Sequence, residues 1–158
     1  MRISSSAFQD GKPIPTKYSH PGVVGGKNIS LPLAWTDVPP ETKSLALSIV
    51  DPHPVANNLV HWFVIDIPAT VASLAEGASG TSMPQGSREL YNTYGTVGYG
   101  GPEPPKGSGP HPYEVTLYAL SAEKLDLPGL SSLSAFRKAL EGKIIASAKL
   151  TGIFERSS

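Results

Sequence analysis

Leu59-Val60-His61-Trp62-Phe63-Val64-Ile65-Asp66-Ile67 is apolar at most positions on both parities of an extended chain. A strand with one wet face alternates apolar and polar residues, whereas a strand covered on both faces does not. The run therefore predicts a strand buried on both sides and stopped by Pro68. On strict alternation His61 shares a face with Phe63, Ile65 and Ile67. Upstream, Leu45 to Asp51 puts Leu45, Leu47, Ile49 and Asp51 on one face, so an apolar face ends in a carboxylate. Downstream, Tyr113 to Leu120 sets Tyr113, Val115, Leu117 and Ala119 against Glu114, Thr116 and Tyr118. Ile29 to Trp35 reads as a further strand, confined to an edge or bulge by Pro32. A single amphipathic helix is expected from Ser131 to Glu141, with Ser131 or Ser132 as N-cap and Gly142 as stop, followed by a last strand from Lys143 to Phe154.

Composition points the same way. Sixteen Gly and sixteen Pro in 158 residues disfavour helix over much of the chain, yet 39% hydrophobic residues is too apolar for disorder. One mainly β domain spanning 1–158 is the expectation, without repeat or linker. Thirteen basic residues balance thirteen acidic ones, which excludes binding to nucleic acid by charge alone. The absence of cysteine excludes disulfides, thiolate zinc sites and a cysteine nucleophile. No stretch approaches the ~18 consecutive apolar residues of a spanning helix, and Met1 to Gly11 is polar. These features predict a cytoplasmic protein that is not integral to a membrane.

Pro68 to Pro112 shows no convincing periodic element, far beyond the ~12 to 15 residues at which structureless loops become uncommon. Within it, residues 95 to 112 hold six Gly and five Pro, interleaved with Tyr99, Glu103, Lys106 and His111. Proline fixes φ and glycine supplies conformations closed to other residues, so the segment reads as a rigid, sharply turning wall.

His53, His61 and His111 lie in or beside these segments, with Asp51 and Tyr113 at strand ends. A lone histidine on an apolar strand is most simply a core residue bonded to a carbonyl, but several beside a carboxylate and a phenol form a convergent set. Imidazole and carboxylate ligands also admit a metal site at Asp51, His53, His61 and His111, although no His-x-x-x-His pair occurs. A hydrolase, metal-dependent or built on the same His and Asp residues, is the other alternative; no Gly-x-Ser-x-Gly elbow marks a nucleophile.

Asp51-Pro52, His61-Trp62, Gly100-Gly101-Pro102-Glu103-Pro104-Pro105 and Gly107-Ser108-Gly109-Pro110-His111-Pro112-Tyr113 occur in that order. Together they resemble the phosphatidylethanolamine-binding protein family, the Raf kinase inhibitor protein-like proteins. The likeness runs from about Phe8 to the ending Leu150-Thr151-Gly152-Ile153-Phe154 and looks like the bacterial and archaeal branch. It implies a central antiparallel sheet, a second smaller sheet, few short helices and a small anion pocket. The family's pocket positions fall on Asp51, His61, Pro105, His111 and Tyr113, with His53, Gly101 and Glu103 at the rim. Further implied are a phosphate or phosphoethanolamine-type ligand, no cofactor, no catalysis, a protein partner such as a kinase or protease, and a homodimer. Two imidazoles and a phenol offer donors to a phosphate, and an acid can orient one imidazole. On this view, His61→Ala or His111→Ala abolishes binding with little change in secondary structure. The chain departs from the family at Asp51-Pro52-His53-Pro54-Val55, where Asp-Pro-Asp-Ala-Pro is common, and at Glu103, a small or Cys position in many relatives. Glu103 and His53 are each expected to be an unpaired, solvated side chain; the alternative is that they partly exchange the charge lost at position 53.

Overall fold

Two sheets carry the molecule, in a computed structural model that describes residues 1–157. In chain order the elements are β1 (Arg2–Ser4), β2 (Lys12–Pro13), β3 (Leu33–Thr36), β4 (Ser44–Asp51), β5 (Leu59–Pro68), β6 (Ser73–Leu74), β7 (Arg88–Glu89), β8 (His111–Leu120), α1 (Leu133–Leu140) and β9 (Ile144–Phe154). The large sheet has the order β2-β9-β8-β4-β5-β7 and the small one β1-β3-β6. All pairings are antiparallel except the two-residue contact of β2 with β9. The mainly β, two-sheet fold expected from the sequence is the one observed.

The doubly apolar character of β4 and β5 is explained by cover on both faces. Leu45, Leu47, Ile49, Trp62, Val64, Val115 and Leu117 pack on one side with Ile3, Leu33, Trp35 and Leu74 of the small sheet. Ala46, Val50, Val60, Phe63 and Ile65 pack on the other with Leu125, Leu127, Phe136 and Leu140. The helix that closes this second layer begins at the expected cap: the Ser132 hydroxyl accepts the Ala135 N–H at 3.0 Å. Past its end Gly142 adopts φ +74°, which favours glycine.

Three details differ from the sequence reading. The strand expected over Ile29 to Trp35 begins only at Leu33, after Pro32, and it is the central strand of the small sheet, not an edge. The chain avoids the proline by starting the strand late rather than by placing it at an edge. Second, strict alternation fails on β5. Ile49 pairs with Trp62 but Val50 with Val60, leaving His61 unopposed; Leu47 pairs with Val64 but Leu45 with Ile67, a second shift beside Asp66 at φ +57°. Each extra residue reverses the parity of the strand beyond it. Hence Ile67 lies on the face opposite Phe63 and Ile65, and His61 is a bulge residue. Third, the segment Pro68 to Pro112 contains β6, β7 and a Tyr91–Val97 bridge. Glu89 also ties it down, accepting from Trp62 Nε1 at 2.8 Å, the Ser79 hydroxyl at 2.5 Å and the Gly80 N–H at 2.9 Å.

The helix is attached chiefly through Phe136, fully buried and stacked on Phe63 with ring centroids 4.4 Å apart. Phe136→Ala is expected to lower unfolding free energy in urea by about 3–5 kcal/mol. A loss below about 1 kcal/mol would show that the helix is not held by this contact.

Candidate functional site

The antiparallel register of β4 with β8 pairs Val50 with Glu114, which brings Asp51 to the side of Tyr113 and His111 at one end of the large sheet. The Asp51 carboxylate, a pure acceptor, takes the His111 Nδ1–H at 2.6 Å on Oδ2 and the His53 N–H at 2.9 Å on Oδ1. Both side chains of the Asp51–His111 pair are buried. The second nitrogen of His111, Nε2, lies 2.9 Å from the Ser108 hydroxyl, and the His53 ring stacks on His111 at 3.8 Å and 6°.

The bulge on β5 delivers His61 to the same place. Its Nδ1–H donates to the Gly100 carbonyl at 2.7 Å, and the Gly100 N–H returns to the His61 carbonyl at 2.8 Å. The neighbouring Gly101 donates to Asn28 Oδ1 at 2.7 Å and accepts the Tyr94 hydroxyl at 2.8 Å. A Cβ on Gly101 would stand 2.2 Å from the Tyr18 carbonyl, so the wall approaches this closely only with glycine.

These groups surround a cavity of about 180 Å³. Asp51, His61, Pro105, His111, Tyr113 and Glu103 line it, together with Tyr94, Val55, Ala56, Leu59 and Pro104. His53 stands behind His111, and Gly101 behind Tyr94. A larger surface hollow of about 430 Å³ beside Lys106 and Arg156 is lined by neither buried histidine nor Asp51.

The fold builds neither unpaired, solvated side chains at Glu103 and His53 nor an exchange of charge between them. Glu103 Oε2 lies 3.3 Å from His20 Nδ1, because the His20–Gly22 turn folds over it; the His20 N–H bonds Pro102 at 3.0 Å. His53 instead accepts the Val55 N–H on Nδ1 at 3.1 Å. The residue order also assigns no role to His20, Tyr94 or Ser108. His20 and Tyr94 stack at 4.8 Å across more than seventy residues of chain. The unassigned fourth histidine and a tyrosine in the glycine-rich loop are the only signals for them.

Burial dominates the electrostatics. It pushes the His61 pKa down to about 4, against an opposing pull from the Gly100 carbonyl and Asp51, so the ring is neutral at pH 7. Burial, then Asp51, raises the Tyr113 phenol above its ordinary value; burial, then Glu103, does the same for Tyr94. Among the described residues no group of three or more His, Cys, Asp or Glu side chains is placed to hold a metal ion.

A model of the family described as phosphatidylethanolamine-binding protein matches residues 4–155. A UPF0098 protein of Aquifex aeolicus is 38% identical over 156 residues, covering 99% of this chain and 89% of the relative. The crystal structure of Escherichia coli YbcL, described as a member of the mammalian PEBP family, superposes with a TM-score of 0.91. It is 35% identical, with 98% of this chain and 97% of that one covered. A Mycobacterium tuberculosis relative that carries a lipoprotein name, LppC, is 37% identical over 159 residues, 98% of this chain and 72% of its own.

Because the folded pKa of His61 lies below its unfolded value near ~6.5, the unfolded state takes up the proton first as pH falls. Its contribution is complete above pH ~6.5 and is lost progressively down to about pH 4. The loss amounts to at most about 3 kcal/mol. Urea unfolding of wild type and His61→Asn at pH 7 and pH 4 measures it as a difference in slope; equal pH dependence in the two proteins would contradict the assignment.

Proposed function

The chain belongs to the phosphatidylethanolamine-binding protein family, and from that premise we propose that it is a non-enzymatic binding protein for a small phosphate-bearing anion. The observation that carries this reading is the meeting of the Asp51–His111 pair, His61 and the Tyr113 hydroxyl on one small cavity. At about 180 Å³ it is smaller than the ~300–1,000 Å³ of drug-sized pockets, so it suits a head group such as phosphoethanolamine rather than an acyl chain. The proposal extends to a protein partner, such as a kinase or protease, whose activity depends on pocket occupancy. It places the protein in the cytoplasm; recovery in a membrane fraction would relocate it, in line with the name of its relative LppC.

One observation favours the hydrolase as a second reading. Ser108, His111 and Asp51 follow one another at 2.9 and 2.6 Å in the order of a Ser–His–Asp relay. Against it, the Ser108 hydroxyl gives its one hydrogen to the Pro105 carbonyl at 2.7 Å, and Ser108 does not line the cavity. Stoichiometric labelling of Ser108 by a fluorophosphonate would establish this alternative.

His111→Ala is a poor probe of binding, because removing one member of a buried pair costs about 3–5 kcal/mol and strands the other. Tyr113→Phe keeps the ring and removes the hydroxyl, a donor that faces the Asp51 carboxylate as well as the cavity. Phosphate titrations followed by NMR are expected to show saturable binding at pH 6, weakened about tenfold by Tyr113→Phe, consistent with the loss of about 1.4 kcal/mol from one charge-assisted bond. Unchanged affinity would remove Tyr113 from the site.

The same proposal includes a homodimer. Sedimentation equilibrium should then give twice the 16.6 kDa chain mass at high concentration, and the monomer mass throughout would exclude it.

A further inference from the structure

An anion is held by donors, yet the polar side chains of this cavity offer a ligand mostly acceptors. Asp51 and Glu103 are carboxylates on its wall. Tyr94 spends its hydroxyl hydrogen on Gly101, and His111 has one nitrogen on Asp51 and the other against Ser108. His61 spends its Nδ1–H on Gly100. A neutral imidazole has one N–H, so Nε2 of His61 carries a lone pair and receives a hydrogen rather than giving one. Among the described residues that line the cavity, the side-chain donor left for a ligand is the Tyr113 hydroxyl, which the Asp51 carboxylate beside it also attracts.

The side chains therefore give an anion little to accept from, and an anion that brings its own proton fits them best. Resting on the anion reading above, we infer that the cavity selects phosphomonoesters in their protonated, monoanionic form and discriminates against oxyanions that have no proton to give. The P–O–H of the monoanion donates to His61 Nε2, while Tyr113 donates to an unprotonated phosphoryl oxygen. The equivalent state, with the proton resting on Nε2, differs only in where that hydrogen sits. Sulfate has the size and shape of phosphate but is a proton-free dianion near neutrality. A phosphodiester likewise has no ionisable hydrogen at that pH, so the intact diester linkage of a phospholipid is disfavoured and a terminal phosphomonoester preferred. Specificity of this kind rests on acceptors left unpaired by the wrong ligand, which discriminate more sharply than missing apolar contact.

The groups facing His61 sustain this polarity. Asp51 approaches from β4, Tyr113 lies edge-on at 4.9 Å from β8, and Tyr94 lies edge-on at 5.6 Å from the loop. Glu103 closes the far wall and His20 stands behind Tyr94. Binding the phosphomonoester dianion from solution at pH 7 then requires uptake of one proton. Affinity should fall by up to tenfold per pH unit above the second phosphate pKa near ~6.

The full-length chain titrated by NMR with inorganic phosphate, phosphoethanolamine, sulfate and glycerophosphoethanolamine at pH 6 and pH 8 tests this. Phosphate and phosphoethanolamine should bind at pH 6 at least tenfold more tightly than sulfate and the diester, and both should weaken at pH 8. In His61→Gln, whose amide can donate, sulfate and phosphate should differ by no more than about threefold. The wild-type ratio decides the inference even if that variant fails to fold. Sulfate or the diester binding as tightly as phosphate would overturn the selectivity and leave the anion pocket standing. Failure of all four to bind saturably would overturn the anion reading, and the inference with it.

Discussion

Two hydrogen bonds between His61 and Gly100, one from the ring to the loop and one from the loop to the strand, join β5 to the glycine- and proline-rich wall. That reciprocal clamp, beside the buried Tyr99 ring packed edge-on against Trp62, holds the loop against the end of the sheet, from where Gly101 reaches Asn28 and Tyr94. It fixes the tautomer of the imidazole, since a carbonyl can only accept. It depends in turn on the bulge, because an unbulged β5 would send His61 to the face occupied by Phe63 and Ile65, under the helix.

The charges around the cavity are arranged in the same economical way. Each of the two carboxylates on its wall meets a histidine, Asp51 with His111 and Glu103 with His20. The first pair is buried and further covered by the His53 ring; the second is partly exposed at the mouth. A wall built this way presents little free positive charge. It is suited to reading the hydrogen-bonding form of a ligand more than to attracting anions at long range, and the balanced net charge of the chain points in the same direction.

Much of this architecture is legible in residue order. The alternation from Tyr113 to Leu120, the doubly apolar β4 and β5, and the helix from its Ser132 cap to Gly142 are readable because each is a local periodicity or a local stop signal. The bulges at His61 and Asp66 are not, since nothing in a run of nine mostly apolar residues marks where one is left unpaired. The two-residue strands β6 and β7 are too short to show a period. At the site, Asp51, His61, Glu103, Pro105, His111 and Tyr113 line one cavity, whereas His20 arrives from a distant turn and nothing in the motif around Ser108 marks its contact with His111. The partner of Glu103 is hidden for the same reason, as charge balance along a sequence does not specify which turn folds over which loop.

The cavity's hydrogen-bonding character stands on the state of one ring. Long-range proton–nitrogen correlation NMR of nitrogen-labelled histidines reports directly which ring nitrogen bears the hydrogen. The structure predicts that His61 in the unliganded protein at pH 7 is the neutral Nδ1–H tautomer, and that it takes up its second proton only at about pH 4. A neutral Nε2–H tautomer, or titration near the unperturbed ~6.5, would mean that the clamp to Gly100 is not formed as described, and the acceptor-rich cavity would fail with it.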